Sequence, residues 1–401
     1  MKILYLSYDG LLEPLGYSQV FQYLRELAKA HEICLITFEK SEDWDNIGRR
    51  NALRDEVSRA GIRWFALRYH KRPTLLATAY DISVGFVLGC FLVLRYRIEI
   101  VHARSYTPSV IALGLKRLWG VKYVFDMRGF WPDEKVDGGV WTRGSLLYRL
   151  AKKCEERFLL GADRVVSLTR KAVEEMKTFS YLQGHLPAFE VITTCADLGN
   201  FRPRRTDRRI DGDAPVRFTL GSVGAVKLWY LFDQVLVCFA SLRELIPAAR
   251  LLILNQGEHG YIRERLSFHG VPEDCVTLRA VSFAEMPMGM SEMDAAILLV
   301  KPSYSSMAKA PTKLGELLGC GVPCLGSVGL ADMGPVLERD RVGVMIRNFG
   351  EEEIRVAIEE LVKLAGDPEI SRRCRRVAEE YFSLASGVGK YDRIYRELGA
   401  K

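Results

Sequence analysis

The chain has no C-x-x-C pair. Its nine cysteines stand apart at Cys34, Cys90, Cys154, Cys195, Cys238, Cys275, Cys320, Cys324 and Cys374. That spacing excludes a structural zinc site, the odd count speaks against a disulfide scaffold, and both predict a reducing compartment. Missing too are the G-x-G-x-x-G turn that a nicotinamide dehydrogenase would carry after its first strand and the P-loop G-x-x-x-x-G-K-[ST]. The first residues hold one charge and then a strand-like run, without the apolar core and cleavage site of a signal peptide, so a cytoplasmic location is expected. Long hydrophobic runs are scarce: the longest, 82–94, has 13 residues, short of the ~20 that a spanning helix needs. It is expected to be a buried helix or one lying at a membrane surface. No short internal repeat is visible.

What is present suits two ordinary domains. The 401 residues are 48% hydrophobic and 27% charged, with a mean hydropathy of -0.00, enough apolar material for two cores. The net charge is +7 and uneven, residues 1–200 carrying +6 and residues 201–401 carrying +1. A basic first half suits anionic lipid, a phosphorylated acceptor or nucleic acid, and an ordinary solvated surface would look the same.

Strand-like and helical segments alternate from residue 2 to 192, beginning with strand 2–7, a Gly- and Pro-containing loop, helix 19–30 and strand 32–37. Periodicity stops over 195–215, where Arg202, Arg204, Arg205, Arg208 and Arg209 mark a candidate linker. Alternation resumes with strand 217–221 and runs to strand 323–326, and two closing helices follow. The pattern predicts an α/β protein of two tandem Rossmann-like, doubly wound parallel-sheet domains, 1–200 and 201–385, with helix 386–401 returning to the first.

The most specific chemistry lies at 301–325. Pro311 precedes a periodic apolar segment, so Thr312, Lys313 and Leu314 would offer N–H groups at the positive end of a helix, and Lys313 adds a full charge. Glu316, one turn on, could accept hydrogen bonds from vicinal sugar hydroxyls. Phosphate below and diol above describe a nucleotide. A surface Glu–Lys pair on a helix would show the same spacing. A second candidate is the turn Gly221-Ser222-Val223-Gly224-Ala225-Val226-Lys227, whose glycines would let backbone approach a ligand while Lys227 neutralises a diphosphate; a plain strand-to-helix turn reads alike.

Lys309-Ala-Pro-Thr-Lys-Leu-Gly-Glu-Leu-Leu-Gly-Cys-Gly-Val-Pro323 resembles the donor-binding helix of family-4 glycosyltransferases, retaining enzymes of the GT-B fold. Three further segments resemble a bacterial branch of that family: Asp9-Gly-Leu-Leu-Glu-Pro-Leu-Gly-Tyr-Ser-Gln-Val20, Val101-His-Ala-Arg104 and Phe125-Asp-Met-Arg-Gly-Phe-Trp-Pro-Asp-Glu134. The resemblance implies that Glu316 holds the nucleotide ribose. The family's companion glutamate falls at Ala308, so Ser306 or Lys309 would replace it, and Ser222 stands where an arginine is usual, so Lys301 could supply the charge. It implies Gly16 near the donor diphosphate, with Tyr17, Ser18 and Gln19 opening the acceptor-side helix. Arg128 replaces a histidine near the reacting sugar and would bind an anion or orient a hydroxyl. Asp133 and Glu134 are the candidates for engaging the acceptor hydroxyl, and His102 and Arg104 for lining the same crevice, although His102 could equally be a satisfied core residue.

The implied reaction is metal-independent transfer of a sugar, with retention, from a nucleotide-sugar donor to a saccharide or polyprenyl-linked saccharide in cell-surface glycan synthesis, with no cofactor and no nucleic acid partner. Helix N–H groups with Lys313 and Lys227 would meet the charge on the leaving diphosphate. Peripheral contact with the inner face of the plasma membrane is part of this expectation. Rivals are a degenerate, non-catalytic GT-B scaffold, suggested by Ala308 and Ser222, and a GT-B-like sugar-nucleotide epimerase.

Overall fold

A computed structural model describes residues 1–203 and 218–400. The chain forms two units, one of Met1–Thr193 with Leu384–Lys401 and the other of Thr194–Ser383. It thus changes unit after Thr193, not after residue 200, because the segment that follows is already tied into the second unit. Thr194 Oγ1 donates to the Ala310 carbonyl at 3.1 Å, Ala196 N–H to the Phe382 carbonyl at 2.8 Å, and Phe201 is fully buried. Of the expected linker, residues 204–215 lie outside the described residues.

The first unit holds seven strands: β1 (Lys2–Ser7), β2 (Glu32–Glu39), β3 (Ile62–Arg68), β4 (Ile100–Arg104), β5 (Lys122–Asp126), β6 (Arg164–Ser167) and β7 (Phe189–Val191). They lie in the order β3-β2-β1-β4-β5-β6-β7, every neighbouring pair parallel. The second unit holds β8 (Thr219–Val223), β9 (Arg250–Leu254), β10 (Val276–Arg279), β11 (Ala295–Leu298), β12 (Cys324–Ser327) and β13 (Gly343–Ile346), in the order β10-β9-β8-β11-β12-β13, again parallel throughout. In each sheet the order reverses beside the first strand, between β1 and β4 and between β8 and β11, and ligands of such sheets bind past the carboxyl ends of the strands at that reversal. Helices cover both faces of the second sheet, so its strands bury alternate residues in two cores. Leu251, Ile253 and Ile297 enter one, Leu252, Leu254 and Leu298 the other.

Helix Leu384–Gly399 closes the first unit. Tyr391 and Tyr395, one turn apart on it, reach into the sheet, where Tyr395 Oη lies 2.6 Å from His102 Nδ1 and Tyr391 Oη donates to Asp126 Oδ2 at 2.9 Å. The Tyr5 ring packs 4.3 Å from that of His102.

The apolar run at 82–94 is part of a longer helix, Thr74–Tyr96, of 23 residues. By length and composition it could cross a membrane, yet one face is packed: Ala77, Asp81, Gly85, Gly89 and Leu92 are buried, and the buried Asp81 carboxylate accepts from Tyr8 Oη and the His70 backbone N–H and lies 2.6 Å from His70 Nδ1. The opposite face leaves Leu76, Tyr80, Val87, Phe91 and Leu94 exposed. Burial therefore accounts for one side of this helix only.

Replacing Tyr395 by phenylalanine leaves buried His102 Nδ1 without its partner and is expected to cost about 1–2 kcal/mol. Trp44, Trp64, Trp119, Trp131 and Trp141 all lie in this unit, so a lowered urea midpoint followed by tryptophan fluorescence checks it.

Candidate functional site

In the second unit the site is assembled at the carboxyl edge of β8 and β11. The strand expected at 217–221 runs from Thr219 to Val223, which moves Gly221 from the turn into the sheet. A Cβ there would lie 2.0 Å from Met293 Sδ, so Gly221 makes room for core packing and not for a ligand. Gly224 begins the turn instead, with φ +85°, and a Cβ on it would lie 1.9 Å from Lys313 Cε and 2.0 Å from Nζ. The lysine stem thus crosses directly over the Gly224 backbone. Asn255 fixes this turn: its Nδ2 donates to the Gly224 carbonyl at 2.8 Å, and Gly224 N–H donates to the Leu254 carbonyl at 2.7 Å.

Helix Thr312–Gly319 starts behind Pro311, which occupies the cap position in extended conformation and not the first turn. Leu314 N–H donates to the Pro311 carbonyl at 3.2 Å, while Thr312 and Lys313 stand where a helix has no carbonyl one turn back to take their N–H groups. Lys313 Nζ sits 5.6 Å from the Tyr230 ring centroid, and no carboxylate pairs with it within 4 Å among the described residues. Glu316 is 7% exposed, and no donor among the described residues bonds its carboxylate. Burial pushes its pKa up to about 7, and the Lys313 charge offsets only part of that push.

Around this core the other expected donor residues differ in standing. Residues Trp229 to Leu231 run beside the end of β11, where Lys301 N–H donates to the Trp229 carbonyl at 2.8 Å, and the Lys301 side chain is exposed. Lys309 Nζ lies 3.4 Å from the Trp229 ring centroid and Lys227 Nζ 4.7 Å from that of Tyr261, so aromatic faces hold both cations in place. Ser306 is committed to its own turn: its hydroxyl donates to the Ser303 carbonyl at 2.7 Å and accepts from Ser303 N–H at 3.1 Å. Ala308, where the family's carboxylate is absent, is itself buried. Ser222 is buried within β8.

In the first unit the loop after β1 is clasped from below by Glu39, a buried carboxylate that accepts from Leu11 N–H at 2.9 Å, Leu12 N–H at 3.1 Å and Thr37 Oγ1 at 2.6 Å. Gly16 lies so close to the Gly10 carbonyl that a Cβ would approach it to 1.8 Å. Tyr17 Oη donates to Glu56 at 2.9 Å, Ser18 is half-exposed, and Gln19 is buried.

Beyond β4 and β5 sits a charged group that the motifs only partly foretold. Asp126, fully buried, is drawn well below the ordinary carboxylate range, to about 2: burial opposes ionisation, and Arg128, His102 and Arg104 outweigh it. Arg128 Nη1 lies 3.8 Å from Asp126 Oδ1, and Arg104 Nε donates to Asp9 Oδ2 at 3.3 Å. Ser105 and Arg128 hold φ of +72° and +60°, a conformation that costs a residue with a side chain about 1–2 kcal/mol and gathers at functional sites.

Two expected acceptor-side residues are corrected. His102 does not line an accessible crevice: its alternation on β4 turns it under the last helix, between Tyr5, Tyr391 and Tyr395, and burial lowers its pKa so that it stays neutral. Asp133 is buried and engaged by Tyr148 Oη at 2.9 Å and Lys152 Nζ at 3.1 Å, so it braces helix Trp131–Asp137 against helix Leu146–Gly161. Glu134 sits half-buried in the first turn of that shorter helix. Two Asp-x-Asp triplets occur, 43–45 and 211–213. Asp43 pairs with Arg49 at 3.2 Å, and the second triplet lies outside the described residues. Among the described residues no three His, Cys, Asp or Glu gather as metal ligands.

A family model described as a glycosyl transferase 4-like domain matches residues 18–183. That match decides the identity of the first unit. It is a glycosyl transferase 4-like domain. The whole chain has the GT-B fold. It is similar to sucrose-phosphate synthase from Thermosynechococcus elongatus (15% identity, TM-score 0.73, covering 100% of this chain and 99% of that one) and to Anabaena HepE, solved in complex with UDP and glucose (14%, 0.67, 99% of each). It is similar also to WaaG, a glycosyltransferase involved in lipopolysaccharide biosynthesis (12%, 0.65, 98% of this chain and 99% of that one). No curated protein matches the chain by sequence. The matched domain makes the protein a transferase, a glycosyltransferase of GT-B fold.

Two tests of the second-unit site follow from its geometry. Gly224→Ala sets a methyl group onto Lys313 and strains a left-handed turn; on the expectation that this turn cradles a nucleoside diphosphate, the affinity measured by calorimetry should fall at least tenfold. For Glu316, the folded state keeps its proton up to about pH 7 while the unfolded chain loses it near 4.5. Stability is therefore lost as pH rises through that window. Glu316→Gln should flatten the decline and be the more stable protein at pH 8, by on the order of 2–3 kcal/mol, in urea titrations across pH 4.5–8.

Proposed function

We propose that this glycosyltransferase moves a sugar from a nucleoside diphosphate donor held in the second unit to a hydroxyl of a saccharide or polyprenyl-linked saccharide engaged by the first, in cell-surface glycan synthesis. The observation that carries the proposal is the arrangement of Lys313 over Gly224 with Glu316 one helical turn beyond. As the anomeric bond lengthens, negative charge grows on the leaving diphosphate, and a fixed ammonium beside helix N–H groups meets it without reorganising. Glu316, lacking a protein donor, is suited to the vicinal hydroxyls of a ribose, which would supply the hydrogen bonds that its burial demands. Lys227 and Lys301 are assigned to the same diphosphate.

On this reading neither resident metal nor cofactor is needed. Retention of configuration, by attack on the face that the diphosphate leaves, belongs to the proposal. Arg128 and Arg104 border the acceptor, Glu134 is assigned to its hydroxyl, and Gly16 lets the loop after β1 pack tightly beside it. The exposed apolar face of helix Thr74–Tyr96, flanked by Lys71, Arg72, Arg95 and Arg97, suits peripheral contact with an anionic membrane, where a polyprenyl-linked acceptor would reside. That HepE was solved with UDP supports a uridine nucleotide as the first donor to try.

The test is a thermal-shift comparison of UDP, GDP, dTDP and CDP. One of them is expected to stabilise the protein, by about 2.7 kcal/mol at a hundred times its Kd, and Lys313→Ala should abolish the effect. If none of the four stabilises the wild type, the donor site is misassigned. With the matching nucleotide-sugar, proton NMR of the first turnover reads the anomeric outcome, and an inverted product overturns retention.

A further inference from the structure

We infer that the carboxyl edge of β1, β4 and β5 binds an oxyanion, a phosphate or a carboxylate carried by the sugar substrate of the first unit, on the guanidinium groups of Arg104 and Arg128. That this sugar is the acceptor rests on the transferase reading above; the anion site does not.

Arg104 and Asp126 are register partners on adjacent strands, and Arg128 follows two residues later. Asp126 could have satisfied both arginines, but its oxygens are placed otherwise. Oδ2 takes the Tyr391 hydroxyl at 2.9 Å and lies 3.5 Å from His102 Nε2, while Oδ1, buried and without a hydrogen-bond donor among the described residues, lies 3.8 Å from Arg128 Nη1, far from the paired short contacts of a guanidinium–carboxylate fork. Arg104 spends its Nε on Asp9. After these contacts Arg104 Nη1 and Arg128 Nε remain buried with no hydrogen-bond acceptor among the described residues. Arg104 is itself only 4% exposed. Groups that stay charged at every physiological pH are rarely left so.

The charges point the same way. Two arginines face one buried carboxylate, His102 is held neutral by burial, and Asp9 belongs to a loop whose carboxylate is 42% exposed to screening water. The edge therefore sets two guanidiniums against one buried carboxylate and one carboxylate screened by water, so their buried N–H groups are incompletely compensated and a bound anion would complete them. The backbone marks the same spot: the left-handed Ser105 directly follows Arg104, and Arg128 is itself left-handed and precedes Gly129 at φ +144°. The edge lies where the strand order reverses, and neither His102 nor Asp133 competes for a ligand there.

The test is a thermal-shift titration of the full chain at constant ionic strength with glucose 6-phosphate, glucuronate and glucose, using chloride as the background anion. At least one charged sugar is expected to stabilise the protein where glucose does not, and which one does so names the anion. Arg104→Gln and Arg128→Gln should weaken that response at least tenfold. Should either fail to fold, Arg104→Lys and Arg128→Lys keep the charge without the fork and should weaken it about tenfold. Lys313→Gln should retain the sugar-anion response while losing the response to UDP, which separates this site from the donor site. Equal responses to charged and neutral sugars, loss of the response in Lys313→Gln, or full retention in both lysine variants would overturn the inference. A missing nucleotide response beside an intact sugar-anion response would sink the transferase reading and leave this site standing.

Discussion

A largely buried carboxylate one turn into a helix, with no donor among the described residues to bond it, gives the site of the second unit its character, and the helix that carries it is held by its packing. Helix Thr312–Gly319 presents Leu314, Leu317 and Leu318 to the core and lies against helix Ile370–Tyr381, while Phe382 touches Gly315 so closely that no side chain fits between. The protein keeps a proton on Glu316 up to about pH 7, a cost that an ordinary structural position would have shed for glutamine or leucine. Such a group makes sense where something absent from the free chain completes it.

The first unit solves the opposite problem with the same physics. Asp126 is as deeply buried as Glu316, yet its pKa falls to about 2 because Arg128, His102 and Arg104 surround it and the Tyr391 hydroxyl bonds it. Burial alone therefore does not set the character of either site; the sign and number of neighbours does. On this edge two guanidinium N–H groups are left without an acceptor, and at Glu316 a carboxylate is left without a donor, among the described residues. In both units the remainder sits past the carboxyl ends of parallel strands.

The alternation of strands and helices was readable because most strands here are continuous apolar runs between helices, and the motif around Pro311 announced its helix through fixed φ and apolar spacing. What escaped reading did so for local reasons. β3, Ile62–Arg68, is an edge strand with arginines at both ends, and β13 is four residues long, so neither stood out from helical neighbours. Gly221 and Gly224 looked equivalent in a glycine-rich turn, and only a two-residue shift of the strand separates a packing glycine from one under Lys313. His102 and Asp133 carry residue types that chemistry often uses, and nothing in sequence could reveal that Tyr391 and Tyr395, almost three hundred residues on from His102, or Lys152 would claim them. The motif around Asp126 gives it no role, since its weight comes from partners on other strands and on the last helix.

Those partners also bear on which chemistry the fold can run. A sugar-nucleotide epimerase of the same architecture must take a proton from carbon and return it, which demands groups able to ionise near neutral pH beside the sugar. In the first unit most groups of that kind are spoken for, Glu134 being assigned to the acceptor hydroxyl. His102 is neutral and enclosed by tyrosines, Asp133 and Glu155 share Lys152, and Glu155 also receives the Tyr106 hydroxyl at 2.5 Å. The side chains left at the edge of β4 and β5 are guanidiniums, which cannot take a proton. Fixed positive charge is of little use for abstracting a proton and of direct use for stabilising charge as a bond to diphosphate breaks or for holding an anionic substrate in line with it. Within the first unit, the distribution of buried charge thus suits group transfer better than proton abstraction.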